Sequence, residues 1–455
     1  MSHPFPEVVP RASGSDPVST FWCELAHLPD GVASRVRLVT SGGAIAGIEV
    51  GADPQPGDER LPGLVIPGLA NAHSHAFHRA LRGRTHDAGG TFWTWRERMY
   101  AVANRLDPDS YLALARATYA EMALAGITAV GEFHYVHHRP DRTPYEDPLA
   151  MARALVQAAT DAGIRLTLLD TCYLTGGFSA PLAPEQQRFS DGDAARWAQR
   201  HTSLRALATD HVVIGAAVHS VRAVPADQLT VVRDALEPDE PLHVHLSEQP
   251  AENEACRAAH GVTPTRLLAD HGLLGPRTTA VHAIHLSPTD IALLGESGTH
   301  VCACPITEAD LADGIGPFPE LAAAGSPLCL GTDQHVSSDI LVEAQRLDAH
   351  ERLRTGERAG FGPDQLLRFA TEHGHRALGQ PGGRIEVGAP ADLVALGLTT
   401  PRTAGTDPTQ AIQVATGADV RTVVVGGEVI VRHGTHTLGD VGALLTSAVD
   451  CVSRA

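Results

Sequence analysis

Two histidines separated by a single residue, His73 and His75, are the first feature of this sequence that could do chemistry. They follow an apolar run that is typical of a β-strand. Side chains alternate between the two faces of a strand, so both imidazoles face the same way. Imidazole nitrogens are common ligands of divalent transition metals. The pair by itself is also compatible with two packed histidines, so its interpretation depends on the rest of the chain.

Other apolar runs also end in ionisable side chains. These are His243, His245 and Glu248 at the end of the fifth run, His282 and His285 in the sixth, and Asp333 after the eighth. The reactive residues of a (β/α)8 barrel lie at the carboxyl ends of its strands. Four strand ends that carry metal-ligating side chains therefore predict one shared site for a divalent ion. His243 and His245 lie on the same face of their strand, so spacing alone does not choose between them.

The elements that must position these side chains are eight apolar runs separated by helical stretches. The runs are residues 62–71, 127–133, 164–170, 212–218, 241–246, 278–284, 299–304 and 327–332. Such runs are typical of strands buried on both faces of a parallel sheet. One intervening helix is predicted from Asp107-Pro108 to Gly126, with an N-cap, a proline in the first turn and a glycine stop. The alternation indicates an α/β fold, a (β/α)8 TIM-type barrel. A doubly wound sheet is the alternative, and the ligand positions favour the barrel.

The two flanks of the chain differ from its centre. Residues 20–61 and about 383–436 are rich in valine and glycine and contain short alternating runs typical of antiparallel hairpins. We expect them to meet as a small β-sandwich domain built from both chain ends. The predicted domain limits are 1–64 for the first part of the sandwich, 65–382 for the barrel, and 383–455 for the second part and the tail.

The composition excludes several classes of protein and site. The formal net charge is −18, so nucleic acid and membrane surfaces are not expected partners. All 35 basic side chains are arginine, which excludes lysine Schiff bases, a P-loop lysine and a metal pair bridged by carboxylated lysine. The sequence contains no apolar stretch of ~20 residues, so no membrane span is predicted. With no visible signal peptide and seven dispersed cysteines, a cytoplasmic protein with free thiols is expected.

Four strings in a fixed order carry a resemblance to the amidohydrolase superfamily. They are VIPGLANAHSHAF, HVHLSE, VHAIH and GTD, between Val65 and about Asp333, and the segment GRIEVGAPADLVAL at 383–396 resembles the closing segment of that family. Similarity to its mononuclear deaminase branch implies that the metal ligands are His73, His75, His245 and Asp333. It also implies that Glu248 and His282 form a catalytic pair that does not bind the metal. The implied cofactor is one Zn²⁺ per chain, with Fe²⁺ or another divalent ion possible for the same donors.

A closer resemblance is to the formimidoylglutamate deiminases within that superfamily. It is carried by the strings FWTWRERMY at 92–100, EFHYVHH at 132–138, VHSVRAV at 218–224 and TEADLADGIGPFPEL at 307–321. The implied reaction is hydrolytic deimination of N-formimidoyl-L-glutamate to N-formyl-L-glutamate and ammonia, in histidine degradation. The implied substrate-binding residues are Arg96, Tyr135, His219 and Arg222. Gln334, beside Asp333, departs from the pattern, since a small residue is expected there. A homodimer is implied by the same family.

The chemistry of the implied residues can be stated in general terms. Asp333 would take the proton of water, His282 would hold the attacking oxygen, and Glu248 would protonate the departing nitrogen. Arginine forks suit the two carboxylates of the expected small-molecule dicarboxylate substrate. One alternative is another amidohydrolase deaminase or chlorohydrolase that acts on guanine, cytosine or a triazine. An alternative from a different class is a non-catalytic scaffold with an amidohydrolase-like fold.

Overall fold

The computed structural model describes residues 19–86, 92–358 and 360–453, which contain two sheets of eight strands each. The first four strands are β1 (Ser19–Leu28), β2 (Gly31–Ser41), β3 (Ala44–Val50) and β4 (Glu59–Pro67). The next eight are β5 (Leu69–Ser74), β6 (Ile127–His134), β7 (Arg165–Cys172), β8 (Val212–Val218), β9 (Leu242–Leu246), β10 (Thr278–His282), β11 (His300–Ala303) and β12 (Leu328–Leu330). The last four are β13 (Leu393–Leu396), β14 (Val420–Val425), β15 (Glu428–Arg432) and β16 (Thr435–His436).

Strands β5 to β12 form the predicted barrel. Each pairs in parallel with the next along the chain. The last strand closes on the first, because a parallel bridge joins Ser74 to Asp333. The backbone N–H groups of Thr332 and Asp333 donate to the carbonyl of His73 at 3.1 and 3.0 Å. This topology confirms the (β/α)8 fold class and brings the GTD segment beside the His73-x-His75 pair.

The two flanks form one mixed sheet in the order β16-β15-β14-β13-β4-β1-β2-β3. Strand β4 joins the halves, since it runs parallel to β1 and antiparallel to β13. This sheet has an apolar core of its own, which includes Phe21, Leu38, Leu61 and Leu393. The expectation that both chain ends build a second β-rich unit is confirmed. The domain limits 1–64, 65–382 and 383–455 stay a prediction.

The apolar run at 62–71 is divided between the two sheets, so its prediction as a single barrel strand was wrong. Strand β4 ends at Pro67 and β5 begins at Leu69. Between them, a side chain at Gly68 would meet Oγ1 of Thr128 at 2.1 Å. The Gly68 N–H donates instead to the carbonyl of Asp392 at 2.9 Å, in the other half of the mixed sheet. Because both strands are buried, the apolar run gives no sign of this change of sheet.

The helices connect and cover the barrel strands. In chain order they are α1 (Phe92–Ala103), α2 (Pro108–Leu124), α3 (Ala150–Ala162), α4 (Ala194–Leu204), α5 (Ala226–Ala235), α6 (Pro250–His260), α7 (Pro264–Asp270), α8 (Pro288–Ser297), α9 (Pro305–Asp310), α10 (Phe318–Ala324), α11 (Ile340–Thr355), α12 (Pro363–Arg368), α13 (Gly374–Ala377) and α14 (Val441–Ser453). Short 3-10 segments lie at Ala76–Leu81, Pro184–Phe189, Arg205–Leu207, Pro408–Gln413 and Gly417–Asp419, and a π-helical turn lies at Phe369–His373. Helix α2 confirms the predicted capped helix, since Asp107 accepts a hydrogen bond from the Ser110 N–H at 2.8 Å. None of the helices in the described ranges has both the length and the apolar character needed to cross a membrane.

A buried ion pair connects the barrel to the mixed sheet. Arg165 on β7 donates from Nε to Asp392 Oδ2 at 2.7 Å and from Nη2 to Oδ1 at 3.2 Å. Asp392, which directly precedes β13, also accepts a hydrogen bond from the Gly426 N–H at 2.8 Å. Removing one partner of a buried pair leaves an uncompensated charge. This pair should therefore contribute to the stability of the contact between the two units.

Arg165→Met is expected to lower the free energy of unfolding by about 3–5 kcal/mol. Urea unfolding followed by circular dichroism measures this change. The matched control is Arg432→Met, which removes a surface pair with Glu59 and should cost no more than about 1 kcal/mol. Equal small effects of the two substitutions would show that the buried pair does not stabilise the contact.

Candidate active site

Four side chains from three barrel strands converge at the carboxyl end of the barrel. They are His73 and His75 at the end of β5, His245 on β9 and Asp333 after β12, and their ligand atoms all lie within 4.8 Å of one another. The Nε2 atoms of His73 and His245 are 3.2 Å apart. Oδ1 of Asp333 lies 3.4 Å from His73 Nε2 and 3.5 Å from His75 Nε2. The structure thus brings together the four ligands that the family resemblance implies.

Backbone carbonyls fix which ring nitrogen carries the proton in two of these histidines. Nδ1 of His75 lies 3.0 Å from the carbonyl of Phe133, and Nδ1 of His245 lies 2.9 Å from the carbonyl of His219. A carbonyl can only accept, so Nδ1 is the donor in both rings. In a neutral imidazole this leaves a lone pair on Nε2, which faces the cluster. Nδ1 of His73 has no hydrogen-bond partner within the described part of the chain.

The electrostatics of this cluster favour neutral imidazoles. Burial, followed by the neighbouring His75, lowers the pKa of His73 well below its usual value. Burial and then His282 lower the pKa of His245 to about 3. Burial raises the pKa of Asp333 to about 7, and a cation among the four groups would oppose that shift. Three buried imidazole nitrogens and one carboxylate, whose ligand atoms lie within 4.8 Å of one another, form a donor set that fits a divalent ion.

The backbone at these strand ends adopts conformations that most residues avoid. The φ angles are 49° at Ser247, 69° at His282 and 41° at Asp333. Left-handed conformations at non-glycine residues are uncommon and cluster at functional sites. Gly331 allows the close approach of β12 to β5, because a Cβ there would lie 2.7 Å from Cβ of His73. The glycine of the GTD string is therefore needed to place Asp333 beside the histidine pair.

His282 lies at the edge of the ligand cluster and contacts three carboxylates. Its Nδ1 is 3.3 Å from Oε1 of Glu308. Its Nε2 is 3.8 Å from both Glu248 Oε1 and Asp333 Oδ2. Burial lowers the pKa of His282, but Glu248 and Glu308 outweigh it and raise that pKa to about 10. The neighbouring carboxylates thus favour the protonated ring, whose Nε2 can donate to an oxygen in the site.

Glu308 was not among the predicted site residues. It is buried on α9, and its Oε1 also accepts a hydrogen bond from the Cys304 N–H at 2.8 Å. It lies within the string TEADLADGIGPFPEL, which already carried the closer family resemblance. That string was the only signal in the sequence that could have identified it.

A cavity opens above the cluster. Its lining contains all four predicted substrate-binding residues, Arg96, Tyr135, His219 and Arg222, together with the predicted site residues His75, His245, Glu248, His282 and Asp333. Arg96 comes from α1, in the long connection after β5. The cavity therefore places cationic side chains and the ligand cluster around one volume.

The two cavity arginines have different surroundings. Nε of Arg96 donates to Oη of Tyr100 at 2.7 Å. Arg222 faces two carboxylates beyond hydrogen-bond distance, with Nη2 3.7 Å from Glu248 Oε2 and Nε 3.6 Å from Glu252 Oε1. Nε of Arg222 has no hydrogen-bond partner in the described ranges. The Arg222 guanidinium therefore has donors that a bound carboxylate could use.

The other two predicted substrate residues are held by aromatic neighbours. Oη of Tyr135 lies 3.1 Å from Nε2 of His78. The ring of His219 packs against Tyr173 with centroids 4.4 Å apart. His78, Tyr100 and Tyr173 also line the cavity. Of these three, only Tyr100 lies in a string that carried the closer family resemblance, FWTWRERMY at 92–100. Isolated histidines and tyrosines have no spacing that distinguishes a cavity wall from ordinary packing.

The structure shows where three residues lie whose roles the sequence did not decide. His243 lies deeper in the barrel than His245, with Nε2 3.0 Å from the carbonyl of Ala377, so it is not part of the ligand cluster. His285 is outside the cluster too, since its Nε2 contacts the carbonyl of Asp313 at 2.8 Å. The side chain of Gln334 points away from the cluster and donates to Asp310 Oδ2 at 2.9 Å. The departure at Gln334 thus leaves the position of Asp333 intact.

Known proteins resemble the chain along nearly all of its length. The amidohydrolase family profile matches residues 64–430, and that of the formimidoylglutamate deiminase HutF N-terminal domain matches residues 20–61. A formimidoylglutamate deiminase of Pseudomonas aeruginosa is 38% identical over 92% of this chain and 96% of its own length. An 8-oxoguanine deaminase of the same species is 30% identical over 91% of this chain and 94% of its own.

A solved structure agrees with these sequence relatives. The crystal structure of an amidohydrolase from Brucella melitensis superposes with a TM-score of 0.89 at 35% sequence identity, over 96% of this chain and 100% of that one. The shared barrel, the converging His and Asp side chains and the match over 64–430 are consistent with one another. The chain belongs to the amidohydrolase family.

Proposed function

We propose that this protein is a formimidoylglutamate deiminase, which hydrolyses N-formimidoyl-L-glutamate to N-formyl-L-glutamate and ammonia in histidine degradation. The observation that carries the proposal is that Arg96 and Arg222 line the same cavity as the ligand cluster and Glu248. A substrate with a reacting amidine at one end and two carboxylates on its amino-acid part needs this combination. The relative from Pseudomonas aeruginosa with that name, similar over 92% of the chain, supports it.

We propose that His73, His75, His245 and Asp333 hold one divalent ion, with zinc as the first candidate. A bound divalent ion makes water acidic enough to supply a nucleophile near neutral pH. Zinc is favoured by the resemblance to the mononuclear deaminase branch, and the absence of lysine argues against a lysine-bridged metal pair. Nitrogen and oxygen donors also accept Fe²⁺ and other divalent ions, so metal analysis must identify the native one.

The side chains around the cluster suit the steps of the reaction. Asp333 takes the proton that water loses as its oxygen attacks the formimidoyl carbon. The protonated His282 donates to that oxygen and holds it in place. Asp333 returns this first proton to the terminal nitrogen of the substrate. Glu248 takes the remaining proton from the attacking oxygen and passes it to the same nitrogen, so that the carbon–nitrogen bond breaks and ammonia leaves. The carbon keeps the water oxygen as the formyl group of the product.

The two arginines account for the choice of a dicarboxylate. Arginine binds carboxylates through two parallel hydrogen bonds in a fixed plane. Arg222 already faces Glu248 and Glu252 without hydrogen-bonding either of them. A substrate carboxylate would supply these missing bonds. Tyr135 and His219 would add hydrogen bonds to the part of the substrate that lies between its carboxylates and its reacting group.

Release of ammonia from N-formimidoyl-L-glutamate, measured with metal content on the same sample, tests the proposal. Arg96→Met and Arg222→Met are each expected to lower kcat/KM roughly 100-fold, because each removes charge-assisted hydrogen bonds to a carboxylate. Arg153→Met, an exposed substitution on α3, is the control and should leave kcat/KM unchanged. No ammonia from a fully metal-loaded sample would contradict the substrate assignment.

Another amidohydrolase deaminase or chlorohydrolase is the second candidate. The 8-oxoguanine deaminase that is 30% identical over 91% of the chain favours it. Guanine, cytosine and triazine substrates have no pair of carboxylates. Activity on such a ring that survives Arg96→Met and Arg222→Met together would support this second candidate.

We also propose that the enzyme is a cytoplasmic homodimer. The dispersed cysteines and the family resemblance support this proposal, as argued from the sequence. Light scattering of the purified protein gives the oligomeric state. Fractionation of cells that express the untagged chain gives its location.

A further inference from the structure

A buried glutamine lies behind the cavity wall and connects two of its tyrosines. Gln186, in the 3-10 segment Pro184–Phe189, is 1% exposed. Its Oε1 accepts a hydrogen bond from the Ala183 N–H at 2.8 Å. Its Nε2 lies 3.0 Å from Oη of Tyr100 and 2.7 Å from Oη of Tyr173. The backbone donor fixes the orientation of the amide, so the nitrogen must face the two hydroxyls.

This orientation determines the direction of the hydrogen bonds. An amide nitrogen carries two protons and no acceptor, so each tyrosine oxygen accepts from Gln186. The Tyr100 oxygen accepts a second bond, from Nε of Arg96 at 2.7 Å. Neither hydroxyl proton is used in these contacts, and both tyrosines line the cavity. Burial raises the pKa of Tyr173 above its usual value, so that hydroxyl keeps its proton.

Arg96 is held in place by the same group of residues. Its guanidinium carbon lies 5.3 Å from the centre of the Tyr100 ring, within the range of a cation–π contact. Its Nε is bonded to the hydroxyl of that tyrosine. Two contacts to one rigid side chain restrict the guanidinium before any ligand binds. Arg96, Tyr100 and Tyr173 therefore present one cation and two hydroxyl donors to the same part of the cavity.

We propose that Gln186 is a positioning residue that directs the hydroxyls of Tyr100 and Tyr173 into the cavity, where they and Arg96 bind one carboxylate of the substrate. The inference rests on the proposed function, since it assigns a place to one of the two carboxylates of a formimidoyl amino acid. Gln186 acts through the tyrosines, because it does not line the cavity itself. A carboxylate has about four lone-pair sites, of which one arginine fills two, so the two tyrosine hydroxyls can occupy the others.

The test measures glutarate binding by calorimetry and steady-state kinetics with N-formimidoyl-L-glutamate, on metal-loaded protein. Gln186→Met, Tyr100→Phe and Tyr173→Phe are each expected to raise the Kd for glutarate and the KM roughly tenfold. The kcat should change less than twofold, because the reacting end of the substrate is untouched. In protein that already carries Arg96→Met, the further substitution Gln186→Met should raise Kd and KM much less than it does in wild-type protein. This is expected because both residues act on one subsite.

Two substrate analogues identify the carboxylate. N-formimidoyl-L-norvaline replaces the side-chain carboxylate with a methyl group, and N-formimidoyl-4-aminobutyrate lacks the carboxylate next to the nitrogen. Gln186→Met, Tyr100→Phe and Tyr173→Phe should raise the KM for the analogue that keeps the bound carboxylate. They should leave the KM for the other analogue unchanged. Equal effects on both analogues would overturn the assignment to a single carboxylate.

The control is Tyr145→Phe, whose ring contacts Arg139 outside the cavity, and it should leave Kd and KM unchanged. Thermal unfolding of each variant separates local effects from misfolding. An unchanged Kd for glutarate in all three variants, or a loss confined to kcat, would overturn the inference. Wild-type protein that binds glutarate through these residues but releases no ammonia would overturn the proposed function alone. Ammonia release without glutarate binding would overturn the inference alone.

Discussion

Replacement of Glu248 by glutamine is expected to lower kcat for ammonia release by about 1,000-fold while the metal content stays at the wild-type level. Glu248 is outside the ligand cluster, so the substitution leaves all four ligands in place. Its carboxylate lies 3.8 Å from Nε2 of His282 and 3.7 Å from Arg222. An amide cannot pass a proton to a departing nitrogen, and such proton transfers contribute 10²–10⁴-fold to catalysis. Ammonia release and metal analysis on the same preparation measure both quantities.

The matched control for this substitution is Glu252→Gln. Glu252 is also buried and also faces Arg222, at 3.6 Å, but it does not line the cavity. We expect a raised KM with kcat within a fewfold of wild type, because the change acts through Arg222. If Glu248→Gln lowered kcat no more than Glu252→Gln, Glu248 would not be the proton donor.

Replacement of His245 by asparagine is expected to reduce the bound metal to a small fraction of one ion per chain. We expect kcat/KM to fall at least about 1,000-fold, since the bound ion supplies the nucleophile. His245 contributes one of the three Nε2 atoms of the cluster, 3.2 Å from that of His73. Metal analysis after dialysis, followed by activity with added Zn²⁺, measures the loss and shows how far excess metal restores it.

His243→Asn is the control for this experiment, because His243 lies on the same strand and the same face. Its Nε2 contacts the carbonyl of Ala377 at 3.0 Å, away from the cluster. We expect metal content to be retained and stability to fall by about 1–3 kcal/mol from the lost buried hydrogen bond. Loss of metal in His243→Asn together with full retention in His245→Asn would contradict the assigned ligand.

Much of this architecture could be predicted from local patterns. Buried parallel strands are apolar along their whole length, and the GTD and His-x-His strings follow such runs directly, so their convergence at one end of a barrel was predictable. The split of residues 62–71 between β4 and β5 was not predictable. Both strands are buried, and an apolar residue does not show which sheet it joins.

The supporting residues around the site could not be predicted from spacing. Glu308 contacts His282 from 26 positions away, and Gln186 contacts Tyr100 from 86 positions away. Such contacts form only when distant loops meet above the barrel, and no repeating pattern in the sequence predicts them. The sequence also could not show whether His243 or His245 joins the ligand cluster, because this depends on depth in the barrel. Residues two apart share a face but differ by ~7 Å in depth along the strand.

The sequence by itself determined the order of buried strands, the ionisable side chains at four of their ends and, through the absence of lysine, the exclusion of a lysine-bridged metal pair. These features depend on residue types and on their spacing along the chain, which the sequence contains directly. Only the tertiary structure decided that the Nε2 atoms of His73, His75 and His245 face Asp333, and that Arg96 and Arg222 share their cavity. Those facts depend on the closure of β12 onto β5 and on side-chain directions, which are set by packing across the whole barrel.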